Sequence, residues 1–164
     1  MQIYILRHGL AEVGQPGMSD ADRALLPEGK KKLRAVLRVA QAAGMDPTII
    51  LSSPYRRALE TAQVAAKELA YRGELIRSDA LRPGCGPAEV WEEIRAFKSP
   101  ERLLISGHEP LLGYLTAFLL GVPALLIDFK KGAIVHLELE QMGLQPRGVL
   151  RWYLTPKLAL GAKS

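Results

Sequence analysis

The chain of 164 residues holds one cysteine, Cys85, and no asparagine. A lone thiol excludes an internal disulfide framework and accords with a reducing compartment. Missing asparagine, together with 11 prolines, matches the thermophile habit of shedding heat-labile residues and stiffening loops, and equally a biased genome composition. Aromatics make up only 6% of the residues, and the one dense basic run, Lys30-Lys31-Lys32 with Arg34, has none interleaved. A single-strand nucleic-acid groove needs such aromatics for stacking, so nucleic acid is not an expected partner. The longest apolar stretch, Leu111 to Ile127, is broken by Gly113, Tyr114, Thr116, Gly121 and Pro123. It falls short of the roughly 20 residues that cross a bilayer and reads as a buried core helix. No basic and apolar leader precedes the first strand-like run, so the expected location is the cytoplasm, with no membrane association. No glycine-rich turn closes on Lys-Ser/Thr, which excludes a P-loop. A cysteine-phosphatase loop on Cys85 would need an arginine six positions on, where Trp91 stands.

What is present is ordinary in bulk: 48% hydrophobic, 24% charged and a net charge of +5. The length predicts one domain, residues 1–164, able to bury a core without disulfide or metal. Strand-like runs at Gln2–Leu6, Thr48–Leu51, Glu74–Ser78 and Arg102–Ser106 alternate with helical patterns. One helix opens at Pro27 with Leu33, Val36, Leu37, Ala40 and Ala43 as its stripe, and a second follows Pro54. A third spans Ala88–Phe97, and the fourth begins near Leu111. Ala133–Glu140 alternates, with His136, Glu138 and Glu140 on its polar side, and Val149–Leu154 pairs with it as a late antiparallel strand. Strands alternating with helices predict a three-layer α/β/α sandwich around a mostly parallel central sheet.

Chemistry concentrates at three strand ends. Arg7-His8-Gly9 follows Ile3–Leu6, Ser52-Ser53-Pro54-Tyr55-Arg56-Arg57 follows Thr48–Leu51, and Gly107-His108 follows Leu103–Ser106. In an open α/β sheet ligands bind beyond the carboxyl ends of strands, so the three segments can meet in one crevice. Two imidazoles and two guanidiniums suit a phosphoryl group, whose transfer is largely positioning and charge compensation. Arg7 and Arg57 offer planar donor forks, and a protonated His108 adds a third cation. A neutral His8 serves as nucleophile if a backbone carbonyl fixes its tautomer. The scheme calls for neither metal nor cofactor. His136 has the bland reading, exposed or lightly paired with its acidic neighbours. Gly9–Leu26, a long loop without period, is expected to be functional.

These segments resemble the histidine phosphatase superfamily and its phosphoglycerate-mutase-like fold. Leu6-Arg7-His8-Gly9, Ser53-Pro54-Tyr55-Arg56-Arg57-Ala58 with Thr61-Ala62, and Ser106-Gly107-His108-Glu109-Pro110 are similar to its motifs. Asp22-Arg23, Pro27, Gly29 and the closing Arg151–Pro156 are most similar to the SixA phosphohistidine phosphatase branch. The resemblance implies His8 as phosphorylated nucleophile, with Arg7, Arg57 and His108 lining the phosphate pocket and Arg56 pointing elsewhere. It offers Arg23 as a further substrate contact. Leu26 stands where the family often has threonine, which removes an N-cap hydroxyl. No inserted segment carries a general acid, leaving Glu109 and Glu12 as candidates by proximity. The implied substrate is phosphohistidine on a protein, such as a phosphotransfer domain. A small phosphorylated molecule is the alternative, and a non-catalytic phosphoprotein-binding module the reading outside enzymes.

Overall fold

The computed structural model describes residues 1–97 and 101–161. Its strands are β1 (Gln2–Arg7), β2 (Ile49–Ser52), β3 (Leu75–Arg77), β4 (Arg102–Gly107), β5 (Ile134–Gln141) and β6 (Arg147–Leu154). The helices are α1 (Pro27–Ala42), α2 (Arg56–Glu68), α3 (Pro87–Ala96), α4 (Leu111–Leu119) and α5 (Pro156–Ala159). The strands form one six-stranded sheet in the order β3-β2-β4-β1-β5-β6. β1 to β4 are mutually parallel, β5 runs antiparallel to β1, and β6 antiparallel to β5. This is the α/β/α sandwich that the alternating pattern predicts.

The central strands are apolar on both faces because helices cover both. Ile3 and Ile5 of β1 join Leu103, Ile105, Val135 and Leu137 in a core closed by α3 and α4. Tyr4 and Leu6, the alternate residues, join Ile50, Leu104 and Ile134 in a second core under α1 and α2. Leu33, Val36, Leu37 and Ala40 are the buried stripe of α1, and the small Ala58, Thr61, Ala62 and Ala65 that of α2. Pro27 occupies the first turn of α1, and Gly44, at φ +93°, takes the left-handed position past its end.

The chain crosses the sheet one way through α1 and α2, then returns through α3 and α4. Right-handed crossovers place helices of opposite travel on opposite faces. The reversal opens a crevice at the carboxyl ends of β1, β2 and β4, where the strand order switches.

Two local expectations are corrected. The helix expected to run from Leu111 toward Ile127 ends at Leu119, and Leu126 is 89% exposed. Gly121, at φ +71°, with Pro123 beyond it, stops the helix and turns the chain outward. His136 is half-buried rather than exposed, stacked on Tyr4 with ring centroids 4.5 Å apart and tilted against Trp152. Aromatic neighbours on adjacent strands reach it across the pleat. The residues between Gly9 and Pro27 form the long loop that their lack of period predicts. A bridge between Ala11 and Leu25 closes the neck of this loop, and a single 3-10 turn at Asp20–Asp22 forms its tip.

α1 packs its first turn directly onto the segment that leaves β1. A Cβ on Gly29 would sit 2.4 Å from the carbonyl oxygen of Leu10, an atom that cannot swing away. Gly29→Ala is therefore expected to lower the urea unfolding free energy by about 1–3 kcal/mol. It should also slow any reaction at His8, two residues before Leu10. Leu26 at the N-cap of α1 has extended backbone and makes no side-chain cap hydrogen bond. Leu26→Thr should raise unfolding free energy by about 1 kcal/mol, read in the same titration.

Candidate active site

Backbone bonding draws the three strand ends together before any side chain acts. His8 N–H donates to Gly107 O at 3.0 Å, and Ser53 N–H to Ser106 O at 3.0 Å. Gly9 N–H donates to Thr61 Oγ1, whose hydroxyl donates to Arg57 O. Thr61 thus ties the His8-Gly9 turn to the first turn of α2. Gly132 N–H donates to His8 O at 3.0 Å from the turn before β5.

His8 is 6% exposed, and its ring lies 5.2 Å from that of His108, centroid to centroid. Its Nδ1 is 2.8 Å from Gly9 O; a carbonyl only accepts, so Nδ1 carries the hydrogen and Nε2 the lone pair. Arg57 Nε donates to that Nε2 at 3.3 Å. Burial, reinforced by Arg57, Arg7 and Lys131, pushes the His8 pKa down to about 4 against the pull of the Gly9 carbonyl. The imidazole is neutral at pH 7, as a nitrogen nucleophile must be.

Arg57 lies in the first turn of α2, where the helix dipole disfavours a cation. Its compensation comes from Asp20 at the loop tip, which receives Nη1 on its carbonyl at 2.7 Å and Nη2 on its carboxylate at 3.1 Å. The guanidinium also lies 5.4 Å from the Tyr55 ring centre. Arg56, its neighbour, turns to Glu60 at 3.0 Å, away from the histidines. Arg7 donates one Nη1 bond to Phe129 O, while its buried Nε has no partner. Burial lowers the Arg7 pKa from its usual value, with Glu109 opposing, yet a guanidinium stays charged.

His108 departs from the expectation of a third cation. Burial, then Arg57 and His8, push its pKa down to about 3, so the free site holds it neutral. Its Nε2 lies 2.8 Å from Ser53 Oγ, which already accepts Tyr55 N–H. A hydroxyl oxygen has two acceptor lone pairs, so this contact fits either ring tautomer, with Ser53 donating to Nε2 or accepting from it. His108 Nδ1 is buried without a partner. Orphaned buried polar atoms are rare and call for explanation. Two such unpartnered buried atoms, His108 Nδ1 and Arg7 Nε, belong to this cluster: the His108 ring lies 5.2 Å from that of His8, and Arg7 is among the charges acting on it. A bound dianion would favour the protonated form of His108, supplying the missing charge on demand.

The remaining sequence candidates stand further off. Arg23 donates from Nε to Glu12 O at 2.7 Å and from Nη1 to Asp20 Oδ1 at 2.9 Å, so it reaches Arg57 through Asp20. Asp20 is held below its usual pKa chiefly by Arg23, with Arg57 adding. Glu109 accepts Gly113 N–H at 2.7 Å, and burial raises its pKa. Glu12 accepts Ala24 N–H at 3.0 Å at the loop neck. Neither carboxylate is hydrogen-bonded to His8, Arg57 or His108. Sequence reading gave no role to Asp20 or Ser53. Nothing in spacing links Asp20 to an arginine thirty-seven residues on. Ser53 offered only its place in a strand-end motif. Among the described residues no three His, Cys, Asp or Glu side chains gather at metal-holding distance, and no helix is long and apolar enough to cross a membrane.

The two depressed histidines set an acid limit on stability. An unfolded chain binds their protons near pH 6.5, the folded protein only near pH 4 and pH 3. Between those values the unfolded state holds more protons, so stability falls as pH falls from about 6.5. Urea midpoints should drop steadily from pH 7 to pH 4.5, and replacing His8 and His108 by asparagine should flatten that slope.

Comparison with known proteins accords with this geometry. The family model of the histidine phosphatase superfamily (branch 1) matches residues 3–83. An uncharacterized protein of Picosynechococcus sp. is 31% identical over 140 residues, 84% of this chain and 85% of its own. Among solved structures, the protein histidine phosphatase SixA complexed with tungstate superposes at a TM-score of 0.85. It is 26% identical over 95% of this chain and 97% of its own. A mycobacterial glucosyl-3-phosphoglycerate phosphatase, 18% identical over 91% of this chain and 96% of its own, shares the fold at a TM-score of 0.66. With its motifs at the switch point of the sheet and its architecture that of SixA, the chain belongs to the histidine phosphatase superfamily.

Proposed function

We propose that the protein is a phosphohistidine phosphatase that works through a covalent phosphohistidine on His8 and needs no metal. The observation carrying this reading is the neutral His8 Nε2 lone pair, 3.3 Å from the cationic Arg57 Nε, with the His108 ring 5.2 Å from that of His8. In the first step His8 Nε2 attacks phosphorus as the bond from phosphorus to the substrate's ring nitrogen breaks. The electron pair of that bond departs with the ring. In the second, water attacks phosphorus, the His8–phosphorus bond breaks, and inorganic phosphate and free imidazole remain. Arg57, Arg7 and His108 Nδ1 meet the equatorial oxygens, which carry the charge of the transition state. The phosphate takes over the Arg57 donors that Asp20 and His8 share in the free site.

Substrate class follows from the acid the site does not present. An ester's alkoxide requires a proton as it leaves. A phosphorylated imidazole protonated on its second nitrogen leaves as neutral imidazole. Glu12 and Glu109 are both turned to backbone N–H groups, which suits the substrate that needs no acid. A protein partner in a reducing cytoplasm fits the lone thiol and the basic charge. A second reading, a phosphatase of small esters, draws support from the raised pKa of Glu109. Glu109→Gln should leave phosphohistidine turnover within about twofold and slow ester turnover if Glu109 protonates the leaving group.

Rapid mixing with labelled substrate and a base quench should trap acid-labile label on His8, and label elsewhere overturns the mechanism. His8→Ala should abolish turnover. Arg57→Ala should lower kcat/KM about 10²–10³-fold, the scale of removing one transition-state charge clamp. A rate comparison between a phosphohistidine protein and a panel of phosphate esters decides the substrate class.

A further inference from the structure

Beside the catalytic crevice lies a pocket of about 280 Å³ lined by Leu10, Lys32, Lys130, Lys131, Thr155, Pro156 and Lys157. Topology places all of these at the carboxyl end of β1. Leu10 follows the His8-Gly9 turn, and Lys32 lies in the second turn of α1, which starts at that end. Lys130 and Lys131 precede β5, which is antiparallel to β1, and Lys157 follows β6, which is antiparallel to β5. The turn bearing Lys130 and Lys131 is fastened to the nucleophile's own backbone through Gly132 N–H and His8 O. Lys131 is also among the charges acting on His8. Pocket and nucleophile therefore share one rim and one field.

The charges are only partly compensated. Glu28 pairs with Lys32 at 2.7 Å and Asp128 with Lys130 at 2.6 Å. Among the described residues Lys131 and Lys157, both exposed, make no ion pair. Leu10 and Pro156 give the pocket apolar walls beneath an ammonium rim. Such a site takes a carboxylate on an aliphatic stem, which is a glutamate side chain.

We infer that this lysine pocket is a docking site for an acidic, glutamate-bearing surface of the phosphohistidine protein, holding it while its phosphoryl group enters the neighbouring crevice. The inference rests on the phosphohistidine reading above and adds to it how a protein substrate is chosen. Nothing in the phosphoryl chemistry requires these lysines, so they act on recognition and encounter rate, as rim charges do.

The test uses two substrates: a histidine-containing phosphotransfer domain of net negative charge, phosphorylated with phosphoramidate, and free phosphohistidine. The double variant Lys131→Glu with Lys157→Glu should raise KM for the domain about tenfold or more and flatten the fall of kcat/KM with added salt. Lys157→Glu alone, at a residue not among the charges acting on His8, should weaken the domain about threefold. It should leave kcat/KM for free phosphohistidine within a factor of two. Equal losses on both substrates, or no loss on the domain, overturn the docking site while the phosphohistidine reading stands. A wild-type enzyme that leaves the phosphorylated domain intact overturns both.

Discussion

One hydrogen bond sets the terms for the rest of the site: His8 Nδ1–H to the carbonyl of Gly9, at 2.8 Å. It fixes which ring nitrogen is basic, and burial keeps that nitrogen unprotonated at neutral pH. A neutral imidazole adds no charge of its own to a site already lined by Arg57 and Arg7, which is what the proposed attack on a phosphoryl group requires. The geometry that permits the bond depends on Gly9, whose backbone turns beside Leu33, and on α1 lying close through Gly29.

Cations in a buried site need counter-charges when no ligand is bound. The fold supplies them from a loop rather than from the core. Asp20 reaches Arg57 from the tip of the 12–25 loop, whose neck is closed by the Ala11–Leu25 bridge. Arg23 in turn steadies Asp20. The carboxylate holds the guanidinium in place and is solvent-exposed, so an arriving phosphate can compete for the same donors. His108 solves the charge problem differently, staying neutral until an anion arrives. Both devices reduce the uncompensated charge of the unliganded site, leaving Arg7 as the site's guanidinium without an ion pair among the described residues.

The lysine pocket belongs to the same end of the molecule yet to a different logic. Its ammonium groups are exposed and screened by salt, so they cannot stabilise a transition state as Arg57 can. They can favour one kind of surface over another.

Much of this was legible in the residues. The alternation of apolar strand and amphipathic helix is a local, periodic signal, so β1, β2, β4, α1 and α3 stand within a residue or two of where the pattern places them. The pairing of His8, Arg57 and His108 was legible because each follows a strand, and strand ends converge in a parallel sheet. What no pattern carried was contact between residues that share no element. The ion pair of Asp20 with Arg57 and the stacking of His136 on Tyr4 depend on which segments the fold lays side by side. The protonation state of His108 depends on the same thing. A sequence lists the ionisable groups, but a pKa is set by the distance to other charges and by the water excluded around the group. Those quantities exist only once the chain has packed. The residues by themselves determined the layer order and the chemistry available, and the tertiary structure decided which groups are charged, which are satisfied, and which remain for a ligand.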